Sequence, residues 1–315
     1  MNVLAMALGK SEMWNTTLTF GLSRTHFLLE MAVKKRQKPL SHGRPPVAKN
    51  GPHMSSKQTR TIIRTHHRLQ KEHAAALKRG DVKKAEYIST CIEKNGGLKL
   101  YQAASKLGQS KLRGGDSSKV LVDWLKQANI IKSKVDVKSP FRLLEVGALS
   151  TENEISKYPK QIHVTRIDLN SQGPGIEQQD FMERPMPNSK EDMFDIISLS
   201  LVLNYVPDPS GRGEMLKRIT QFLRRPDSHI TGSTLTLPAL FLVLPLPCVS
   251  NSRYLDETTL TKIMTSIGFV LVRKKETLKL AHYLFTWTAE GNSTKYGKKL
   301  IKDGPGMNNF CIVLE

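Results

Sequence analysis

Two hydrophobic rhythms divide this chain. From about Ser56 the apolar positions recur at helical spacing, with Ile62, Ile63, Leu69 and Leu77 forming a thin stripe among Arg60, Arg64, Arg68, Lys71 and Lys78. Gly80 predicts the end of that helix, Asp81 is a good N-cap for the next, and Asn95-Gly96-Gly97 closes it. A short third helix over 98–107 runs to Gly108, and a fourth over 118–129 turns Val120, Leu121, Trp124 and Leu125 inward. From Phe141 the rhythm changes to apolar runs of strand length at 142–146, 163–169, 194–200, 240–246, 269–275 and, finally, 310–314. Helical patterns at 211–224 and 256–267 fall between them. Strands alternating with helices predict an α/β fold with a largely parallel, doubly wound sheet, preceded by a basic helical region.

Charge sharpens the same division. The 48 Lys+Arg and 28 Asp+Glu leave a formal net charge of +20. Residues 31–140 hold 25 bases and 7 acids, net +18, whereas 141–315 hold 21 and 19, net +2, and 1–30 hold two of each. A surplus so concentrated attracts polyanions, of which nucleic acid is the commonest. The expected organisation is a disordered basic tail over 1–55, a basic helical RNA-binding region over 56–139 bearing Arg60, Arg64 and Arg68, and an α/β domain over 140–315. Met31 opens the run Lys34, Lys35, Arg36 and Lys38, followed by a Pro/Gly-rich stretch. That pattern reads as the start of the functional chain, with 1–30 a gene-model extension, and as a nuclear or nucleolar address.

Several classes are excluded or disfavoured. Cys91, Cys248 and Cys311 are an odd count without pairwise spacing, which disfavours a disulfide framework or metal cluster and fits a reducing compartment. The longest apolar stretch, 235–249, is too short to span a bilayer and is interrupted by Pro238, Pro245 and Pro247, so no membrane partner is expected.

The candidate chemistry lies at the strand ends, where ligands bind in doubly wound sheets. The first strand ends Glu145-Val-Gly147-Ala-Leu-Ser150; Gly147 allows a tight turn and a close ligand approach, and Glu145 places a carboxylate at the tip. The second ends at Asp168, twenty-one residues after Gly147, where an acid accepts both hydroxyls of a ribose. Asp180-Phe181 suits an adenine, with the carboxylate near the exocyclic amine and the ring packed on the base. A fourth element runs through Ser200 to Asn204-Tyr205-Val-Pro207. No Walker lysine motif is present, which counts against nucleotide hydrolysis. A one-glycine loop is ill suited to cradling a pyrophosphate, so a nucleoside without phosphates, such as S-adenosylmethionine, is the better fit.

The order and wording of these segments resemble the class I S-adenosylmethionine-dependent methyltransferases, with their Rossmann-like sheet. More narrowly, they are similar to the fungal 25S ribosomal RNA adenine-N1 methyltransferases. The resemblance rests on Gly97-Leu98, Tyr101-Gln102-Ala103, Ser105, Gly108-Gln109, Leu144 to Ser150, Ile167-Asp168-Leu169, Asp180-Phe181 and Ser200 to Pro207. It continues through Pro209, Arg212-Gly213, Met215-Leu216, Asn251-Ser-Arg253-Tyr254 and Asn308-Asn309-Phe310, covering roughly 55–315. It implies S-adenosylmethionine as cofactor, with Gly147 and Asp168 as principal contacts and Glu145, Asp180, Phe181 and Ser200 around them, and large-subunit ribosomal RNA or a pre-ribosome as partner. Two departures stand out. Ala148, Leu149 and Ser150 occupy positions where the class usually has further glycines, and the span from Asp168 to Asp180 is short for the usual second helix.

Adenine N1 holds an in-plane lone pair, so its methylation needs alignment and desolvation rather than a strong base. Asn204 is the candidate for the Watson–Crick edge of a flipped base and Tyr205 for stacking on it. If they fail, the loop with Asn251 and Arg253 is the next candidate. Two alternatives stay open: an S-adenosylmethionine sensor that binds protein partners, and a methyltransferase acting on protein or a small molecule. The basic segment favours the RNA enzyme over both.

Overall fold

The computed structural model describes residues 54–108, 115–132, 139–171, 173–226 and 235–315. The expected extension at 1–30, the basic run at 34–38 and Gln109 lie outside the described residues.

Four helices come first: α1 (Ser56–Lys78), α2 (Val82–Lys94), α3 (Gly97–Gly108) and α4 (Ser118–Gln127). Ser55 and Gln58 make a reciprocal capping box on α1, and the Asp81 side chain accepts from Lys84 N to open α2. The thin apolar stripe of α1 closes on α2 through Leu69, Ala76, Ala85 and Ile88. These elements follow the helical spacing read from the sequence.

The sheet follows. Its strands are β1 (Phe141–Val146), β2 (Ile162–Asp168), β3 (Glu177–Gln178), β4 (Ile196–Ser200), β5 (Ala239–Pro245), β6 (Phe269–Glu276) and β7 (Leu280–Trp287), in the order β3-β2-β1-β4-β5-β7-β6. All neighbouring pairs are parallel except those of β7, which runs antiparallel to β5 and β6. This doubly wound, Rossmann-like α/β arrangement is what the resemblance implied. α5 (Pro209–Phe222) and α7 (Glu257–Ser266) cover one face with Leu216, Ile219, Leu260 and Ile263. α4 covers the other with Leu121, Trp124 and Leu125 against Phe241 and Val243. The four-residue α6 (Pro247–Ser250) links β5 to α7. Between β2 and β3 the described residues contain no helix, in keeping with the short span noted above.

One expectation is corrected, and one strand escapes the apolar pattern. The terminal run 310–314 is no strand of the sheet. Phe310, Cys311, Ile312 and Leu314 are buried, but Val313 N donates to Pro209 O, and only Leu314 makes a bridge, to Tyr296. That run is apolar because it packs beside α5, where Gly213 is required: a Cβ there would lie 1.9 Å from the Val313 carbonyl oxygen. The strand that does complete the sheet, β7, was missed because His282 and Thr286 interrupt its apolar run. Both are buried and bonded, His282 Nδ1 to Lys275 O at 3.2 Å and Thr286 Oγ1 donating to Thr236 O at 2.9 Å.

Residues 53–315 form one compact unit, and the helical region is bonded directly to the strand tips.

Candidate active site

A cavity of about 1340 Å³ opens over the carboxyl ends of β1, β2 and β4 and is enclosed by α1, α3, the start of α4 with the residues before it, and the turn between β6 and β7. Val146 and Gly147 form its floor at the tip of β1, with Ile167, Asp168 and Leu169 at β2 and Ser200, Leu201 and Val202 after β4. Gly147 has φ +75°, and a Cβ on it would stand 2.4 Å from Cγ2 of Val202, so glycine is required for both conformation and space. Leu201, directly after β4, is a non-glycine residue at φ +58° that donates its N–H to Val243 O at 2.9 Å. A strained leucine at a strand tip in a cavity wall marks a place where geometry outweighs local comfort.

The Asp168 carboxylate lines the cavity and is half-buried. Burial pushes its carboxyl up, and hydrogen bonds from Asn170 N at 2.9 Å and Gln102 Nε2 at 3.0 Å oppose that shift. Gln102 comes from α3, is buried, and also donates to Asn170 O at 2.9 Å. Gln102 stands in the Tyr101-Gln102-Ala103 motif, but its pairing with a residue 66 positions away leaves no local signal.

The remaining expected cofactor residues divide. Asp180 lines the cavity and accepts from Met182 N at 2.7 Å. Phe181 reaches the cavity wall, yet it is 2% exposed and packs its ring 5.3 Å from that of Phe222, so it is chiefly core. Ser200 lines the cavity, and its hydroxyl is 2.8 Å from that of Ser117. Glu145 must be corrected: it does not line the cavity. Strand alternation turns it to the side opposite Val146, where Asn153 donates to both its oxygens and Arg166 lies 3.3 Å away. Burial raises the Glu145 carboxyl, and Asn153 and Arg166 counter it.

Tyr205 lines the cavity within an aromatic cluster that the sequence did not reveal. Its ring centroid is 4.0 Å from that of His67 and 5.3 Å from that of Tyr101, and Tyr101 stacks on His66 at 4.5 Å. Both histidines come from α1, outside the apolar stripe of Ile62, Ile63, Leu69 and Leu77. Burial, aided by Lys71, His66 and Arg212, lowers His67 to about 4, and burial lowers His66 as well. The phenols of Tyr101 and Tyr205 are shifted up, first by burial. Asn204 sits in the turn before α5 rather than in a helix, and it is not part of the cavity wall; its Oδ1 is buried without a hydrogen-bond partner. The fallback loop is structural: Arg253 ties down the C-terminal segment through Asp303, Met307 O, Asn309 and Gly304 O.

α1 presents two different sides. Ile63, His66, Gln70, His73, Ala74 and Leu77 face the cavity, whereas Arg60, Arg64 and Arg68 are exposed, Arg68 pairing with Glu72 at 3.0 Å. Among the described residues there is no His/Cys/Asp/Glu group that could hold a metal ion, and no helix is long and apolar enough to cross a membrane.

The site fits a nucleoside cofactor. The glycine at the first strand tip leaves the backbone bare, the second carboxylate is offered beside it, and Leu149, Ile167 and Val202 supply apolar walls.

Residues 86–312 match the family described as 25S rRNA (adenine(2142)-N(1))-methyltransferase, Bmt2. A 25S rRNA adenine-N(1) methyltransferase of Schizosaccharomyces pombe is 39% identical over 253 residues, covering 80% of this chain and 89% of the relative. A 25S rRNA (adenine(2142)-N(1))-methyltransferase of Saccharomyces cerevisiae is 40% identical over 230 residues, covering 72% of this chain and 63% of that longer relative. A solved O-methyltransferase from neocarzinostatin biosynthesis, in complex with S-adenosylmethionine, aligns more remotely, at 12% identity and a TM-score of 0.39 over 72% of this chain and 70% of its own. This chain belongs to the 25S rRNA (adenine-N1) methyltransferase family.

Proposed function

We propose that the chain is an S-adenosylmethionine-dependent methyltransferase that methylates N1 of an adenine in large-subunit ribosomal RNA, acting on the pre-ribosome in the nucleus and nucleolus. The observation that carries this reading is the double-sided α1: a basic exposed face suited to RNA lies on the same helix as the wall of a cavity large enough for a nucleoside cofactor and a target base. Gly147, Asp168 and Asp180 would hold the cofactor, which when bound supplies an electrophilic sulfonium methyl.

The chain's own task is then to align and desolvate the base. N1 attacks with a lone pair that carries no proton, so no side chain has to remove one first. Methylation leaves a positive charge on the adenine ring. Tyr205 and Tyr101 offer aromatic faces that stabilise a cation. His67, held neutral near pH 7 by burial, adds no charge to repel it. Arg60, Arg64 and Arg68 supply phosphate contacts outside the cavity.

Single-turnover methyl transfer to a large-subunit rRNA fragment at saturating cofactor tests the base pocket. Tyr205→Ala is expected to lower the rate about a hundredfold, as a misplaced base does, while Tyr205→Phe stays mild. Wild-type rates for Tyr205→Ala would remove it from the site.

A further inference from the structure

The turn joining β6 to β7 contains a residue that the reading above does not use. Leu278 is 98% exposed, the most exposed large apolar side chain among the described residues. It occupies the centre of a turn fixed by Thr277, whose N–H donates to Leu280 O at 2.8 Å and whose Oγ1 accepts from Leu280 N at 3.0 Å. Leu246 N donates to Lys279 O at 2.8 Å and anchors the turn to β5. Tight turns favour Gly, Asn, Asp or Ser at their centres, and a solvated leucine gains nothing there from folding. A local rule broken without a packing gain marks a functional position.

The position of the turn says what that function is. Lys275, Thr277, Leu278 and Lys279 line the same cavity as Gly147, Asp168 and Tyr205, and Lys275 and Lys279 are exposed on either side of the leucine. Leu77 of α1, 53% exposed, lines that cavity too. The mouth therefore presents an apolar tip with Lys275 and Lys279 beside it, the intervening Glu276 being paired with Lys274 at 2.9 Å, a composition suited to entering a nucleic-acid stack while its flanks hold the phosphates.

The chemistry supplies the need. N1 lies on the Watson–Crick edge of adenine, so a paired or stacked adenine must leave the helix before it can enter the cavity. We propose that Leu278, held on the rigid β6–β7 turn between Lys275 and Lys279, is a wedge that fills the gap left in the RNA stack and keeps the target adenine extruded. It is a positioning residue that touches the neighbouring bases rather than the reacting atoms. This inference rests on the RNA reading given above.

The test compares two RNAs with the full chain at saturating S-adenosylmethionine. One is a folded fragment of large-subunit rRNA that the wild type methylates; the other is a short unstructured oligonucleotide with the same nucleotides around the target. Leu278→Ala is expected to slow single-turnover methylation of the folded RNA about tenfold or more, because only there must the base be unstacked. Its rate on the oligonucleotide and its cofactor affinity are expected to match the wild type. Leu278→Met is expected to restore the folded-RNA rate. An equal loss on both RNAs, or no loss on the folded one, overturns the wedge. Failure of the wild type to methylate either RNA overturns the RNA reading itself, and the wedge with it.

Discussion

At Gly147 a side chain is excluded by the positive φ of +75° and by Val202, whose Cγ2 would lie 2.4 Å from a Cβ. Gly147→Arg is expected to abolish S-adenosylmethionine binding. Asp168→Asn is expected to weaken it by about 1–3 kcal/mol, through the loss of charge-assisted acceptance from the ribose. Titration calorimetry on folded variants checks both, and near-wild-type affinities would contradict the assignment. His67 makes a separate prediction. Its folded pKa is about 4 against an ordinary 6.5, so between those values the unfolded chain takes up a proton that the folded chain refuses. The stability this group supports is complete above about 6.5 and is lost as pH falls toward 4. His67→Phe, which keeps a ring beside Tyr205, is expected to flatten the fall in urea midpoint between pH 7 and pH 5; an unchanged fall would contradict the shift. Gly147 and Asp168 could be read as strand-tip residues because each ends an apolar run. The direction of Glu145 could not, since it depends on strand phase relative to the cavity, nor could the pairing of Gln102 with Asp168.

Helix α1 shows what one element adds. Its stripe and its basic face were both legible, because helical spacing separates them. The partners of the stripe were not. Ile63, His66 and Gln70 face a cavity, and His66 and His67 join tyrosines from α3 and the β4–α5 turn. Replacing Arg60, Arg64 and Arg68 together by Gln is expected to weaken RNA binding and flatten its salt dependence, since each lost phosphate contact lowers the slope by about 1 unit. Cofactor affinity is expected to stay unchanged, as these side chains point away from the cavity. Filter binding across a salt series checks this; an unaltered slope, or joint loss of both ligands, would make the arginines structural. β7 shows the opposite case. Buried polar residues hide a strand whenever their partners come from distant segments, as His282 and Thr286 show.

At the largest scale, the helices α1 to α4 and the sheet belong to one compact unit. The cavity floor comes from strand tips and its roof from α1 and α3, so the exposed arginines of α1 sit on the same helix that encloses the cavity. The compositional step near residue 140 falls inside one compact unit. The claim that joins these parts is methyl transfer to adenine N1, an atom whose modification blocks base pairing and therefore halts a reverse transcriptase. The most direct measurement maps reverse-transcription stops along large-subunit ribosomal RNA after incubation with the protein and S-adenosylmethionine. A new stop one nucleotide before a single adenine, absent without cofactor and absent with Gly147→Arg, is the predicted result. Full-length read-through under all conditions, or stops that do not require the cofactor, would contradict it.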